Sequence, residues 1–281
     1  MQNEAFYLQQ MMDNYRRQAG TLVVTSGKGG VGKTSIAVNL AICMAASHKK
    51  VLLFDADMSL GNVDILMDIN SRYNVSHLLS GRKSIDEIIC AGPAGIDVIC
   101  GASGLAELAD IGDFQRERLL NELSGLQNES DMIVVDTAAG ISKAVAGFCL
   151  AADHVLVVTT PDATAITDAY AMIKLLAKNA FAGRISVVVN MADTQAEGRK
   201  VYRQIANAAM QFLGTKVYGA GVLPGDERLS QAVRLRKPVV LAYPKSAIAS
   251  SLLALATRLS DGLQARPREE GFFRKVVDWF F

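Results

Sequence analysis

The stretch "TSGKGGVGKTS", from Thr25 to Ser35, constrains the fold of this chain more than any other part of it. Gly27, Gly32, Lys33 and Thr34 match the pattern G-x-x-x-x-G-K-[ST], in which backbone N–H groups surround phosphate oxygens, the lysine reaches the outer phosphates and the hydroxyl binds Mg²⁺. The apolar run "TLVVTS" precedes the loop, and the helix-forming run "SIAVNLAICMAA" follows it. This order predicts a buried strand, a phosphate-binding loop and a helix whose N-terminus points at the phosphates.

The loop contains one lysine more than this pattern requires, Lys28. We expect the whole loop to contact a bound nucleotide, with Lys33 in a catalytic role. The residues of the loop are Gly27, Lys28, Gly29, Gly30, Val31, Gly32, Lys33, Thr34 and Ser35. The pattern by itself leaves the task of Lys28 open.

Short apolar runs alternate with helical patterns along the rest of the chain. After the first strand the apolar runs are "KVLLFDAD", "GIDVICGAS", "DMIVVDTAAG", "DHVLVVTTPD", "RISVVVNMAD" and "KVYGAGVLPG". Nearly continuous Val, Ile and Leu in these runs indicates strands that are covered on both faces. The sequence therefore predicts an α/β P-loop NTPase, a mostly parallel sheet with helices on both faces, in a single domain over residues 21–264. We expect residues 1–20 to be a separate N-terminal segment, and residues 265–281 to be a linker and an amphipathic helix.

Composition excludes several other classes of protein. The chain has 281 residues, of which 50% are hydrophobic, and a net charge of +1. This balance argues against a strongly basic nucleic-acid binder and against an acidic disordered chain. No apolar run approaches the ~18 to 20 residues of a membrane span, and the first residues lack the basic and apolar regions of a secretory signal. We therefore expect a cytoplasmic protein. The peripheral association with the inner face of the cell membrane that we also expect rests on the C-terminal stretch described below.

Polar residues end several of the predicted strands, at the edge where ligands bind in open α/β sheets. Asp55 and Asp57 end one strand, and Asp136 ends "MIVVD", a pattern typical of the Mg²⁺ site in P-loop NTPases. We expect Thr34, Asp57 and Asp136 to serve the metal. No glutamine stands where it would orient an attacking water, so Asp57 is also the catalytic candidate for that task. Solvent-exposed aspartates without a role are the alternative.

The last two strands end in residues that suit a nucleotide base. Asn190 ends "SVVVN", and Pro224 and Asp226 lie in "GAGVLPGDE". An asparagine amide offers both a donor and an acceptor, which fit the edge of adenine. An asparagine after a strand is also common as a simple turn residue, so this interpretation depends on where the sheet places it.

"KGGVGKT" resembles the deviant Walker A motif of the MinD/ParA ATPases. The resemblance covers about residues 20 to 262 and implies Mg²⁺ and ATP as ligands. It also implies a role for Lys28, which in this family crosses a face-to-face homodimer and contacts the phosphates of the partner's ATP. Such a contact, completed only when two loaded chains meet, would stabilise charge in the transition state as an arginine finger does.

Within the family the chain is similar to the flagellar-number regulators of the FlhG (FleN/YlxH) subgroup. The similarity lies in "FDADMSLGNVDILMDI", "DTAAGIS", "ITDAYAMIKLL" and "NMADTQAEGRKVY". It implies a weak switch ATPase that is stimulated by dimerisation and by a partner. Implied partners are the GTPase FlhF, a transcription activator of the FleQ/FlrA type and C-ring proteins of the flagellar switch. It also implies that Asp57 positions the hydrolytic water, that Thr34 and Asp136 serve Mg²⁺, and that Asn190 and Pro224 contact adenine.

The N-terminal segment departs from that subgroup. The subgroup often begins with D-Q-A-x-x-L-R, which stimulates FlhF, whereas Asn3 to Gln9 read "NEAFYLQ". Ala5 and Leu8 are kept, but the arginine is replaced by glutamine. Its loss removes a charge that could reach another protein's nucleotide, which puts the stimulation of FlhF in question.

The C-terminal stretch "GFFRKVVDWFF" has the composition of an amphipathic membrane helix. Arg274 and Lys275 alternate with the apolar residues and favour an anionic surface. The expected membrane-contacting residues are Phe272, Phe273, Val276, Val277, Trp279 and Phe280. A helix docked onto its own domain and a disordered stretch are the alternatives, and membrane contact and docking could be alternating states of one segment.

Two other functions compete with the flagellar one. Arg234, Arg236 and Lys237, with Arg199, Lys200 and Arg203, could form the DNA-binding patch of a ParA-like partition ATPase. A solvated helix face is the commoner meaning of such clusters, and we expect no DNA binding. An iron–sulfur reductase would need paired cysteine ligands at a dimer face. Cys43, Cys90, Cys100 and Cys149 are scattered and fit buried, reduced thiols better.

Overall fold

The computed structural model describes residues 18–57, 61–101, 113–262 and 271–280. The segment Asn3 to Gln9, on which the FlhF prediction depends, lies outside these ranges, as does most of the predicted N-terminal segment. The strands are β1 Gly20–Ser26, β2 Val51–Ala56, β3 Ile89–Ala91, β4 Asp97–Ile99, β5 Met132–Ala139, β6 His154–Thr159, β7 Arg184–Ala192 and β8 Tyr218–Pro224. The helices are α1 Lys33–Ala45, α2 Val63–Met67, α3 Val75–Leu79, α4 Ile85–Ile88, α5 Asp113–Glu129, α6 Lys143–Ala151, α7 Ala163–Lys178, α8 Gln195–Leu213, α9 Glu227–Arg234, α10 Val239–Ala242, α11 Ala247–Gly262 and α12 Phe272–Phe280.

Within the described ranges, eight strands form one sheet in the order β3-β4-β2-β5-β1-β6-β7-β8. Every neighbouring pair is parallel except β3 and β4, which are antiparallel. The mostly parallel P-loop NTPase sheet predicted from the sequence is therefore confirmed. β3 was not predicted, because three residues at a sheet edge give too short a pattern to read.

The strands are apolar on both sides because each side packs against a layer of helices. Val23 of β1 belongs to one buried cluster, whereas its neighbours Leu22 and Val24 belong to the other. The first cluster holds apolar residues of α5 to α8, and the second holds residues of α1 and α11. Alternate residues of each strand point to opposite faces, so a strand buried on both faces must be apolar throughout.

The C-terminal helix α12 packs into the first of these layers, against α5 and α6. Phe272, Phe273, Val276 and Val277 are at most 2% exposed. The ring of Phe273 lies 5.6 Å from that of Phe54 on β2, and the ring of Phe272 lies 6.4 Å from that of Phe148 on α6. The predicted helix is therefore present, and in this structure its apolar side faces its own domain.

Two hydrogen bonds hold the ends of α12 in place. The Phe272 N–H donates to Oε1 of the buried Gln127 at 2.9 Å, and the Trp279 indole Nε1–H donates to the Lys143 carbonyl oxygen at 2.8 Å. Gln127 also donates from Nε2 to Gln18 Oε1 at 3.3 Å. Among the described residues no helix has both the length and the hydropathy that crossing a bilayer requires.

Candidate functional site

The phosphate-binding loop connects β1 to α1 at the carboxyl edge of the sheet. Gly30 and Gly32 have φ angles of 79° and 87°, in the left-handed region that other residues adopt only with strain. A Cβ on Gly27 would lie 2.3 Å from the Asp168 carbonyl oxygen, so α7 packs directly against the loop backbone. The glycines at these positions are thus required by geometry, and the loop predicted from the sequence forms between the predicted strand and helix.

Lys33 and Asp136 form a buried ion pair at the start of α1. Lys33 Nζ lies 2.8 Å from Asp136 Oδ1 and 3.4 Å from Thr34 Oγ1. Asp136 is 1% exposed, and burial raises its pKa while the positive charge of Lys33 lowers it. The Thr34 hydroxyl is a further hydrogen-bond partner of the same carboxyl group. The structure therefore brings together the lysine, the hydroxyl and one of the acidic residues that the sequence assigned to the nucleotide and its metal.

Asp55 lies near the end of β2, beside this pair, and Asp57 directly follows the strand. Asp55 pairs in register with Asp136 on the neighbouring β5, and its Oδ1 accepts the Asp57 N–H at 3.0 Å. Burial raises the pKa of Asp55 to about 7, the charge of Asp136 adds to the rise, and hydrogen bonds from the Asp57 and Val63 N–H groups oppose it. Asp57 itself is only half-buried. Asp57 is therefore the more accessible of the two, as its predicted contact with water and metal requires.

Asp55 has a structural role that the sequence did not predict, and Gly61 is part of it. A Cβ on Gly61 would lie 2.5 Å from Asp55 Oδ2. Together with the N–H groups of Asp57 and Val63, this close approach makes Asp55 the organising group of the connection from β2 to α2. The one sequence feature that could have indicated this role is the glycine six residues after Asp55.

Asn190 lies directly beneath the phosphate-binding loop. Its side chain is buried, and its Nδ2 donates to the Val31 carbonyl oxygen at 2.8 Å. A Cβ on Gly32 would lie 2.5 Å from that Nδ2. A carbonyl oxygen can only accept, so this bond shows that the Asn190 amide turns its nitrogen toward Val31 and its oxygen, Oδ1, away from it. Oδ1 is buried and has no hydrogen-bond partner among the described residues.

Pro224 and Asp226 lie at the neighbouring edge of the sheet. Pro224 pairs in register with Ala192 at the end of β7, two residues beyond Asn190. Asp226 caps α9, because its Oδ1 accepts the Arg228 N–H at 2.9 Å, and its Oδ2 accepts the Ile248 N–H of α11 at 3.3 Å. Both carboxylate oxygens of Asp226 are thus used by backbone groups, a capping role that the sequence did not reveal. A direct contact of Asp226 with the nucleotide stays a prediction.

Lys28 is half-buried, and its amine bonds α7, whereas that of Lys33 bonds Asp136. Its Nζ donates to Thr164 Oγ1 of α7 at 2.7 Å, and its carbonyl oxygen accepts the Ser26 hydroxyl at 2.9 Å. Gly29 and Gly30, which follow it, are exposed. The extra lysine therefore has a partner within its own chain, Thr164, for which the sequence gave no signal.

Comparison with known proteins identifies the family. A family model described as an AAA domain matches residues 19–184. The chain is 36% identical to the antiactivator FleN of Pseudomonas aeruginosa over 259 residues, which cover 91% of this chain and 92% of FleN. It is 34% identical to the flagellum site-determining protein YlxH of Helicobacter pylori over 265 residues, which cover 92% of this chain and 90% of YlxH. The chain belongs to the MinD/ParA-type ATPases, in the FleN/YlxH group.

This ATPase also resembles a solved MinD structure. The septum site-determining protein MinD of Pyrococcus horikoshii, in complex with Mg-ADP, matches with a TM-score of 0.70 at 19% identity, over 86% of this chain and 96% of MinD. At that identity the likeness concerns the fold alone. The family that the motifs indicated is confirmed.

The donors of this ATPase site fit a magnesium nucleotide. Hydroxyl and carboxylate oxygens, as in Thr34 and Asp136, are the ligands that Mg²⁺ prefers. Loop N–H groups and Lys33 suit the phosphates. The orphaned Oδ1 of Asn190 is an acceptor, which suits the exocyclic amine of adenine and not the oxygen at the same place in guanine. The residues present therefore fit ATP with Mg²⁺.

Proposed function

We propose that this ATPase is a nucleotide-operated switch in the control of flagellar number or placement. It pairs into an ATP-bound dimer at the membrane and returns to a monomer after hydrolysis. The flagellar context is supported by the relatives, one of which is called a flagellum site-determining protein. The dimer is supported by one observation above the others, a second lysine that lies outside the ion pair of its own phosphate site.

The chain's own residues divide the work of hydrolysis. Bound Mg-ATP supplies the reactive phosphoryl group and the metal charge. The loop N–H groups and Lys33 would hold the phosphates, and Thr34 and Asp136 would hold the metal. Asp57, half-buried at the end of β2, orients the attacking water. Lys28 of a second copy adds positive charge where negative charge grows in the transition state.

An exposed apolar residue beside the loop supports the pairing of two copies. Ile141 is 52% exposed. It follows Gly140, whose N–H donates to the Ser26 carbonyl oxygen at 2.8 Å, so Ile141 stands next to the base of the phosphate-binding loop. A large apolar side chain at the rim of a charged site is stabilised when a partner covers it. A second copy facing the first would cover Ile141 and present Lys28 at the same time.

Membrane association in this proposal requires α12 to leave its own domain. Its apolar residues are buried against α5 and α6, while Arg274 and Lys275 are exposed. Released, the helix has an apolar face for lipid and basic residues for anionic head groups. One such helix binds a surface weakly, whereas two in a dimer gain about 10² or more in effective affinity. Pairing would thereby recruit the protein, and hydrolysis would release it.

The proposed partners come from the resemblance to the flagellar-number regulators. They are the GTPase FlhF, a transcription activator of the FleQ/FlrA type and C-ring proteins.

DNA is the alternative ligand, because Arg234, Arg236 and Lys237 are all exposed on one short segment. Arg236 has a weak, exposed ion pair with Asp68 at 3.8 Å. Retention on nonspecific DNA that depends on ATP and falls steeply with salt would favour that alternative.

Sedimentation velocity with a non-hydrolysable ATP analogue tests the dimer. We expect the wild type and the control Lys178→Ala, an exposed lysine at the end of α7, to pair, and Lys28→Ala to stay monomeric. Co-sedimentation with anionic vesicles in ADP and in ATP then tests the membrane step, for the full chain and for a chain ending at Arg266. Pairing and turnover that survive Lys28→Ala unchanged would refute the proposed mechanism.

A further inference from the structure

The hydrogen bond between Lys28 and Thr164 suggests how the extra lysine is controlled. We infer that Thr164 is a positioning residue that holds Lys28 within its own subunit until a partner's phosphates compete for it. The inference rests on the proposed dimer, since it concerns the lysine that would cross between copies. It adds a residue on α7 that opposes pairing.

The geometry makes Lys28 and α7 one unit. The Ser26 hydroxyl fixes the Lys28 carbonyl oxygen at 2.9 Å, and the backbone of Asp168 presses against Gly27. These contacts therefore fix the position of the Lys28 backbone relative to α7, the helix that bears Thr164. Within that frame the amine reaches Thr164 Oγ1 at 2.7 Å.

The electrostatics make this hold weak and reversible. Thr164 is a neutral, exposed acceptor in the first turn of α7. The N-terminus of a helix carries partial positive charge, so it is an unfavourable place for an ammonium group. A phosphate offers full negative charge and a stronger, charge-assisted bond. Lys28 therefore stays on Thr164 in a lone subunit and exchanges it for phosphate when a second copy brings one.

A symmetric dimer doubles the effect of this hold. Two copies related by a two-fold axis each release one lysine on pairing. An exposed hydrogen bond at the low end of the usual range is worth about threefold in an equilibrium constant. Loss of both holds should therefore tighten the dimer about tenfold, as the square of the single effect.

Threonine-to-valine substitution tests this with little change in shape. The dimer dissociation constant is measured by sedimentation velocity with the non-hydrolysable ATP analogue. We expect Thr164→Val to lower it about tenfold, and Thr164→Ser, which keeps the hydroxyl, to match the wild type. The control is Thr167→Val, one turn along α7, whose hydroxyl donates to the Ala163 carbonyl oxygen of its own helix at 3.0 Å. In a Lys28→Ala background Thr164→Val should not restore pairing.

The outcomes separate this inference from the proposed function. An unchanged constant for Thr164→Val would mean that Thr164 does not restrain the lysine. A weaker dimer would mean that Thr164 instead directs Lys28 toward the partner. Either result overturns the inference and leaves the dimer intact. A wild type that stays monomeric would overturn the proposed function, and the inference with it.

Discussion

One methyl group at Gly147 should release the C-terminal helix without changing that helix. Gly147 lies on α6 beneath the Trp279 ring, and a Cβ added there would be 2.3 Å from Trp279 Cδ1 and 2.9 Å from its Nε1. Ordinary contacts are 3.4–4 Å, so the ring must move by about 1 Å. It cannot simply turn aside, because its Nε1–H is bonded to the Lys143 carbonyl oxygen at 2.8 Å.

The size of the effect depends on the net free energy with which α12 docks onto its domain, which is small. Four large side chains are buried, each worth roughly 1.5–3 kcal/mol, while ordering nine residues costs roughly 1–2 kcal/mol each. These sums are of similar size, so docking is marginal. Overpacking typically costs about 1–3 kcal/mol, which shifts the balance about 5- to 150-fold toward the released helix. Within α6 itself, alanine is more stable than glycine by ~0.5–1 kcal/mol. The substitution should therefore weaken the docking of α12 without destabilising the rest of the fold.

Trp279 makes the measurement direct, because it is the only tryptophan among the 281 residues of the sequence. We expect Gly147→Ala to shift its emission to longer wavelength in solution, and to increase binding to anionic vesicles in ADP. The control is Gly125→Ala on α5, where a Cβ would meet nothing within 4 Å. Emission and vesicle binding equal to the wild type would refute the reasoning that α6 holds the helix.

Three further predictions concern the site and the core. Asn190→Leu removes the bond to Val31 and the orphaned acceptor, so ATP affinity should fall roughly tenfold and the preference over GTP should narrow, as measured by nucleotide displacement. Ile141→Asp should abolish ATP-dependent pairing in sedimentation without weakening nucleotide binding. Burial, aided by Arg184, lowers the pKa of His154 to about 4. Between pH 6.5 and 4 the unfolded chain therefore binds more protons than the folded one. The free energy of unfolding should fall by about 3 kcal/mol as the pH is lowered across that window. Denaturant titrations should show a smaller loss in His154→Gln.

The sequence predicted the sheet and the strand–loop–helix order around residues 27–35 because both depend on local patterns. A continuous Val/Ile/Leu run implies burial on both faces, and the loop motif specifies its own conformation through Gly30 and Gly32. Asp136 was proposed as a metal ligand because it ends such a run. The roles of Asp55 and Asp226 were not foreseen, since each depends on distant backbone N–H groups, Val63 and Ile248, that a strand-end pattern does not contain.

The place of α12 could not be read from its own residues. An apolar stripe with flanking basic residues fits lipid and a protein groove equally well. The groove is built from Phe54 on β2 and Phe148 on α6, which lie far apart in the sequence. The glycine that accommodates Trp279 carries no pattern at all. Thr164 was missed for the same reason, because contact with Lys28 is a property of the folded chain.

The docked state and the membrane compete for the same side chains, so the switch needs a definite difference between nucleotide states. A change from nine-tenths docked to nine-tenths released demands about a hundredfold preference. Two tails in one dimer supply on the order of 10² or more, which meets that demand without any movement of α6. ATP should therefore fail to recruit the monomeric Ile141→Asp variant to vesicles, whereas Gly147→Ala in the same background should bind weakly in either nucleotide. Recruitment of the Ile141→Asp monomer by ATP would instead assign the release to α6, the helix that follows Asp136 and carries the Trp279 contact.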